Sequence, residues 1–411
     1  MAVSQAASAG PLVGVRVIEL CNTFAGPACG RLLADFGAEV IKVEPFEGDP
    51  VRQMGLFSEG VSLQAVSIQR GKRSIAIDLK TAAGQRLLRE LLVGADVMIE
   101  NNRPGVMERL GFGWNAVHAL NERLVMVRIS GYGQTGPNAS RPGYGAICDA
   151  FAGVRELTGD PDRPPSRVAL ATTDYLTAVY AAFGTMMALF HRQASGRGQL
   201  VDAALYETAF SMMEGFVPAF EKLGHVPRRQ GPNLPNVAPN SLYPTTDGYV
   251  LIAANNGPTW ERLLAAIDRT DLAVDPRFIS VYLRGQNAAA LDALISEWTS
   301  HYTGAEVEAA MLRAGVPSSR VFTLADVFKD PHFEARQMLV DVPHPVLGST
   351  RQQGIVPKLS ETPGRIRWSG HEIGADSEDI LSQVLGYDTQ GIEKLLADGV
   401  VRKHPSESAG A

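Results

Sequence analysis

Short apolar runs punctuate the first part of the chain: Val15–Leu20 (VRVIEL), Val40–Val43, Ser74–Asp78, Val97–Glu100 and Leu124–Ile129. Runs of this length, rich in Val, Ile and Leu, predict buried strands. Helical periodicity fills the intervals at Pro27–Phe36, Thr81–Val93, Gly105–Leu110 and Trp114–Leu120, with Gly37 as a helix stop. Gly48–Val66 reads as irregular. Strands alternating with helices predict a doubly wound α/β domain, in which ligands sit at the carboxyl ends of the strands.

A longer helical pattern follows through Tyr175, Val179, Ala182, Phe183, Met186, Met187, Leu189 and Phe190. Thr172 or Thr173 can cap this helix, which puts Asp174 in its first turn. After Lys222 the chain becomes rich in Pro, Asn and Gly, which predicts an extended connection. A hairpin over Tyr243–Ala254, turned at Thr246-Asp247-Gly248, precedes helices near Pro258–Ala266, Ala288–Tyr302 and Ala305–Ala314. These elements make a smaller α/β or α+β domain. Helices at Ser377–Leu385 and Thr389–Leu396 return to the first domain. The organisation expected is a large domain from 1–222, a small domain from 223–330, and a returning segment from 331–411.

Composition narrows the function. At 45% hydrophobic and 20% charged residues, the chain of 411 is a folded globular type, and its net charge of −6 argues against a nucleic-acid partner. Cys21, Cys29 and Cys148 form no CxxC pair and the eight histidines are scattered, so neither a disulfide framework nor a metal site is expected. A reducing, cytoplasmic setting follows. MAVSQAASAG lacks the basic start and apolar run of a secretion signal, Leu176–Leu189 is too short and mixed to cross a bilayer, and Ser406–Ala411 reads as a frayed tail.

Candidate chemistry is sparse. GYGQTG at Gly131–Gly136 fits the spacing of a dinucleotide fingerprint, but Pro137 to Pro142 follow where a helix should open. No phosphate-binding P-loop, GxSxG elbow or HExxH motif is present. Lys72, Arg73 and Lys80 flank one strand, and Arg103 and Arg109 lie in and after the loop Asn101-Asn102-Arg103-Pro104-Gly105. Singly these are solvated charges; together, at the mouth of a parallel sheet, they form a phosphate-binding rim. Asp174 is either a simple helix-end carboxylate or an ionised nucleophile, since the helix dipole favours its charge.

Six blocks carry a family resemblance: AGPACGRLLADFGAEVIKVEP, GKRSIAIDLK, ADVMIENNRPGVMERLGF, ISGYGQTGP, TTDYLTAVYAAFGTMMAL and KLLADGVV. In order and spacing the chain resembles the class III CoA-transferases from about Leu12 to Val401. The resemblance implies a Rossmann-like large domain from both chain ends, a small domain between, and an interlocked-ring homodimer. It places the family's nucleophile at Asp174, with acyl-CoA and a small carboxylic acid as substrates and no permanently bound cofactor. By motif position Thr23, Phe24 and Ala25 lie beside the thioester. Arg73 belongs to the CoA site, Ile77 and Lys80 flank the adenine, and Asn101, Asn102, Arg103 and Arg109 follow the pantetheine and phosphates.

The chain departs from the formyl-CoA:oxalate pattern at Phe24, Pro142 and Gly145, and lacks a run of four glycines in the small domain, so oxalate is not the expected acceptor. Succinyl-CoA is the expected donor, and Arg141, Arg228 and Arg229 are candidates for the second acidic group of a dicarboxylate acceptor, although Arg228-Arg229 reads more ordinarily as part of a solvated linker. The alternative on the same fold is an α-methylacyl-CoA racemase. That branch needs a histidine base where Tyr144 stands, and a phenol with an ordinary pKa near 10 is a poor base.

Overall fold

The computed structural model describes residues 10–234 and 236–404; the expectations for residues 1–9 and for the tail after 404 concern segments outside that range. The chain divides into two compact units. The first comprises the chain up to Val154, Ala169–Gly215 and the segment from Glu334 on; the second comprises Arg155–Val168 and Phe216–Phe333.

In the first unit, six strands lie parallel: β1 (Arg16–Leu20), β2 (Glu39–Glu44), β3 (Lys72–Ile77), β4 (Val97–Glu100), β5 (Val125–Ser130) and β6 (Leu200–Ala204). Their order across the sheet is 3-2-1-4-5-6, and Val401–Arg402 adds antiparallel to the outer edge of β3. This is the order of doubly wound dinucleotide-binding sheets, in which the direction of winding reverses between β1 and β4. The crossovers include α1 (Ala25–Asp35) and α2 (Ala82–Val93). The short helices α3 (Val106–Arg109) and α4 (Trp114–Leu120) follow β4. Thr81 caps α2, its Oγ1 accepting the Gly84 N–H at 3.0 Å.

Alternate residues of each strand feed opposite faces. Val17, Val40, Val97 and Val127 pack with Ala28, Leu33, Ala178 and Ala181 on one face. Ile18, Ile41, Ile75 and Met98 pack with Leu87, Leu88, Leu91 and Ile392 on the other. Each such aliphatic side chain contributes about 2 kcal/mol by leaving water. Both faces are covered, which explains why the strands read as unbroken apolar runs.

Two further helices frame the chemistry, α5 (Gly145–Phe151) and the long α6 (Thr172–Ser195). Neither Thr172 nor Thr173 caps α6. Ala171 holds the cap position with no side-chain hydrogen bond, so both threonines are already helical, and the Thr172 hydroxyl donates to the Leu170 carbonyl at 3.5 Å. Asp174 stands in the first turn. Ala178, Ala181, Thr185 and Ala188 bury one face of α6. Val179, Tyr180, Phe183, Met186, Met187 and Phe190 form an exposed apolar stripe on the other. No described helix is long and apolar enough to cross a membrane.

The second unit carries a wholly antiparallel three-stranded sheet from Asn240–Thr245, Gly248–Ala253 and Ser318–Arg320. Tyr243, Val250 and Ile252 meet Trp260, Leu263, Leu291, Ile295 and Met311 from its helices. Its sheet is therefore of the α+β type.

Candidate active site

A cleft of about 470 Å³ opens at the carboxyl ends of β1, β2, β3 and β4. Leu20, Val43, Ile77, Met107 and Leu110 supply its apolar lining, and Asn22, Lys80 and Asn102 part of its polar lining. Its position beside the switch between β1 and β4 is where a doubly wound sheet binds its ligand. Four acids, Glu44, Glu47, Asp49 and Asp78, also line it. Two of them are neutralised from within: Glu44 pairs with Arg52 at 2.7 Å and Asp49 with Lys42 at 2.9 Å.

The turn between β1 and α1 forms one wall of the cleft and is unusually well held. Lys42 Nζ donates to the Cys21 carbonyl at 2.6 Å. The Asn101 side chain accepts the Asn22 N–H at 2.9 Å and donates to the Asn22 carbonyl at 2.8 Å. Asp49 Oδ1 accepts the Thr23 N–H at 2.8 Å. Thr23 has φ of +68°, a left-handed conformation that a β-branched residue resists. Beneath the turn, Lys42 and Lys72 both reach the buried Glu19, at 3.0 and 2.8 Å. Gly30 of α1 makes room for this cluster, because a β-carbon there would strike the Glu19 carboxylate. Two acids and two bases thus balance in the interior, as buried charges must.

Phe24 carries this turn toward the first turn of α6, its ring 6.5 Å from that of Tyr175. Asp174, the preceding residue, lies with its carboxylate against Gly145 at the start of α5; a β-carbon at 145 would occupy the place of Oδ2. Gly131 and Gly143 pack back to back behind it, and the Cys148 thiol donates to the Gly131 carbonyl at 3.3 Å. Burial, and then the charges of Asp174 and Asp149, push the Cys148 thiol up to about 11. Cys148 is therefore an inert thiol at neutral pH, and the carboxylate beside it is the nucleophile candidate.

The sequence-expected residues separate into groups. Ile77, Lys80 and Asn102 line the cleft. Thr23, Phe24 and Ala25 join it to the Asp174 region through the Phe24–Tyr175 contact. Asn101 holds Asn22, and Arg103 and Arg109 stand exposed in the loop and helix that follow β4. Glu100 anchors that loop: its carboxylate accepts the Asn102 N–H at 2.7 Å and Arg128 Nε at 2.6 Å. Arg73 is not brought to the cleft. It sits near the amino end of β3 and pairs with Glu39 at 2.9 Å. Lys72 does not join a phosphate rim either, because its ammonium is buried against Glu19 and the Pro27 carbonyl.

Of the arginines considered for the acceptor, Arg229 is bound to Glu156 at 2.7 Å within the second unit. Arg141 lies over the rings of Tyr132 and Phe151, at 5.3 and 5.9 Å. Lys42 and Asp49 also belong to the wall formed by the turn between β1 and α1, and no motif announces them. The only local signal was the Asp-Pro pair of EGDP, which marks Asp49 as the cap of a short helix at Pro50–Gln53.

The profile of CoA-transferase family III matches residues 12–377. Succinyl-CoA–D-citramalate CoA-transferase of Chloroflexus aurantiacus is 45% identical over 394 residues, covering 95% of this chain and 98% of its own length. The beta subunit of succinyl-CoA–L-malate CoA-transferase from the same organism is 38% identical, covering 95% and 98%. Succinyl-CoA:mesaconate CoA-transferase of Haloarcula hispanica is 36% identical, covering 86% and 91%. A CaiB/BaiF family protein from Brucella suis superposes with a TM-score of 0.81 at 34% identity, covering 91% of this chain and 99% of that one. Sheet order, cleft, profile and relatives converge: the chain belongs to CoA-transferase family III.

Proposed function

We propose that this enzyme moves CoA from succinyl-CoA to a small dicarboxylic acid, with D-citramalate the first acceptor to try, through covalent intermediates on Asp174. The observation that carries the mechanism is the seat of Asp174: a carboxylate in the first turn of a 24-residue helix, lodged against a glycine. The substrate pair rests on the 45% identical relative that is named for it.

The Asp174 carboxylate attacks the succinyl thioester carbonyl, and the C–S bond breaks to give a mixed anhydride and CoA thiolate. The thiolate attacks the aspartyl carbonyl, releasing succinate and leaving CoA as an aspartyl thioester. The acceptor carboxylate then attacks this thioester and frees the thiolate a second time. Attack of the thiolate on the acceptor's carbonyl yields the new acyl-CoA and restores Asp174. One thioester is exchanged for another, so the cycle closes without an external energy source. The protein supplies an oriented, half-buried carboxylate, held at the first turn of its helix against Gly145.

In this reading CoA occupies the cleft, with adenine near Ile77 and Lys80. Its pantetheine and phosphates pass Asn101, Asn102, Arg103 and Arg109, and its thioester lies beside Thr23, Phe24 and Ala25. Arg141, fixed over two aromatic rings, is the arginine suited to the acceptor's second carboxylate. The exposed stripe of α6 supports an interlocked homodimer, because an apolar face of this extent calls for a partner. Three buried free cysteines fit a cytoplasmic enzyme.

The test is a panel assay: succinyl-CoA with D-citramalate, L-malate, mesaconate, glutarate and acetate, each product resolved by chromatography. Transfer to the branched or hydroxylated dicarboxylates, with acetate far slower, is the expected result. Equal rates for acetate would remove the dicarboxylate reading.

A further inference from the structure

The turn from Cys21 to Phe24 is over-determined for a simple strand-to-helix link. The Cys21 carbonyl, both Asn22 backbone groups and the Thr23 N–H are each held by a side chain from another element: Lys42 of β2, Asn101 after β4, and Asp49 after β2. Lys42 and Asp49 are also held to each other at 2.9 Å, and both side chains are 1% exposed. Gln69 donates to Asp49 at 3.0 Å and completes the shell.

The conformation held this way is unfavourable for its residue. Gly or Asn takes a positive φ readily, whereas Thr does not, so a strained Thr persists only where its surroundings fix it. Thr23, at φ of +68°, lies between a cleft residue, Asn22, and Phe24, whose ring meets Tyr175 next to Asp174. A shift at Thr23 is therefore transmitted both to the cleft wall and to the neighbour of the candidate nucleophile.

We propose that the buried Lys42–Asp49 pair is a positioning device for CoA transfer, holding the Cys21–Phe24 turn in its strained form so that the thioester meets Asp174 at reacting distance. The inference rests on the reading of Asp174 as nucleophile. Lys42 is buried beneath the turn and Asp49 borders the cleft; both act on the turn through the Cys21 carbonyl and the Thr23 N–H. Their effect falls on kcat, where a misplacement of the order of 1 Å removes about 100-fold.

The test compares Asp49→Ala, Thr23→Gly, the double variant and wild type, with succinyl-CoA and D-citramalate. Asp49→Ala is expected to lower kcat by about 10- to 100-fold while KM for succinyl-CoA changes by less than about 3-fold. Adding Thr23→Gly is expected to return about 5-fold of that loss, because glycine adopts the positive φ unaided. A purely structural Asp49 would lower the melting temperature but leave kcat per folded molecule unchanged, and glycine would rescue nothing; either result overturns the proposal. If Asp49→Ala does not fold, Asp49→Asn keeps an acceptor for Thr23 but loses the charge facing Lys42. A smaller kcat loss, again relieved by Thr23→Gly, is then expected, and no loss overturns the proposal. A wild type inactive with these substrates contradicts the substrate reading instead. The same variants are then compared by hydrogen exchange at the Asn22–Ala25 amides, which Asp49→Ala accelerates if the pair holds the turn and leaves unchanged if it does not.

Discussion

The carboxylate of Asp174 lies in the space that a side chain at Gly145 would fill, so the two residues cannot be varied independently. Gly145→Ala places a methyl group against Oδ2 and turns the carboxylate away. We expect kcat to fall at least about 10-fold, with a stability loss of about 1–3 kcal/mol from overpacking. Steady-state kinetics and thermal melts check both; an alanine variant with wild-type kcat would show that the seat of Asp174 does not matter.

Substrate affinity should respond separately from turnover. Ile77 and Lys80 both line the cleft, at and just after the carboxyl end of β3 and remote from Asp174 in sequence. Lys80→Ala and Ile77→Ala are expected to raise KM for succinyl-CoA by about 3- to 20-fold with little change in kcat, the signature of lost uniform binding. A change confined to kcat would move CoA out of this cleft.

Acid stability has a definite sign. Burial alone raises the Glu44 carboxyl, but the Arg52 hydrogen bonds and charge, with Lys42 and Ser74, outweigh it and hold the group at about 2, below its ordinary 4.5. A carboxyl with a lowered folded pKa stabilises the protein fully above its unfolded pKa, and that contribution disappears as pH falls through the folded value. Glu44 therefore contributes on the order of 3 kcal/mol that is lost between about pH 4.5 and pH 2. Glu44→Gln should be less stable at pH 7 and show a flatter decline across that window in denaturant titrations. Parallel curves for the two proteins would remove Glu44 from the account.

The stripe on α6 makes an assembly prediction. Phe183 and Phe190 are 59% and 77% exposed on the chain alone. Sedimentation of the wild type is expected to give a dimer at micromolar concentration, and Phe183→Glu with Phe190→Glu to give single chains or aggregates. A wild-type monomer would contradict the interlocked arrangement.

VRVIEL, VMIE and LVMVRI are apolar because both sheet faces are covered, and their strands emerge within a residue of the expected ends. GKRSIAI misled because the strand begins at Lys72 rather than Ser74. Lys72 and Arg73 are then strand residues, turned toward Glu19 and Glu39 respectively, instead of rim charges. Pairing partners of this kind lie on other strands, so no local pattern announces them. The first-turn place of Asp174 was legible from the helical pattern, whereas its reading as a nucleophile came only from the family resemblance. Gly145 was visible only as a departure from a family pattern, and its contact with Asp174 depends on the packing of α5 against α6.

The most direct measurement is to incubate the protein with succinyl-CoA alone, trap with hydroxylamine or borohydride, and map the product by mass spectrometry. The account predicts modification at Asp174, absent in Asp174→Asn and undiminished in Cys148→Ala. An unmodified Asp174, across a panel of acyl-CoA donors, would contradict the covalent mechanism. Solvent-deuterium exchange into a 2-methylacyl-CoA under the same conditions would then favour the racemase alternative.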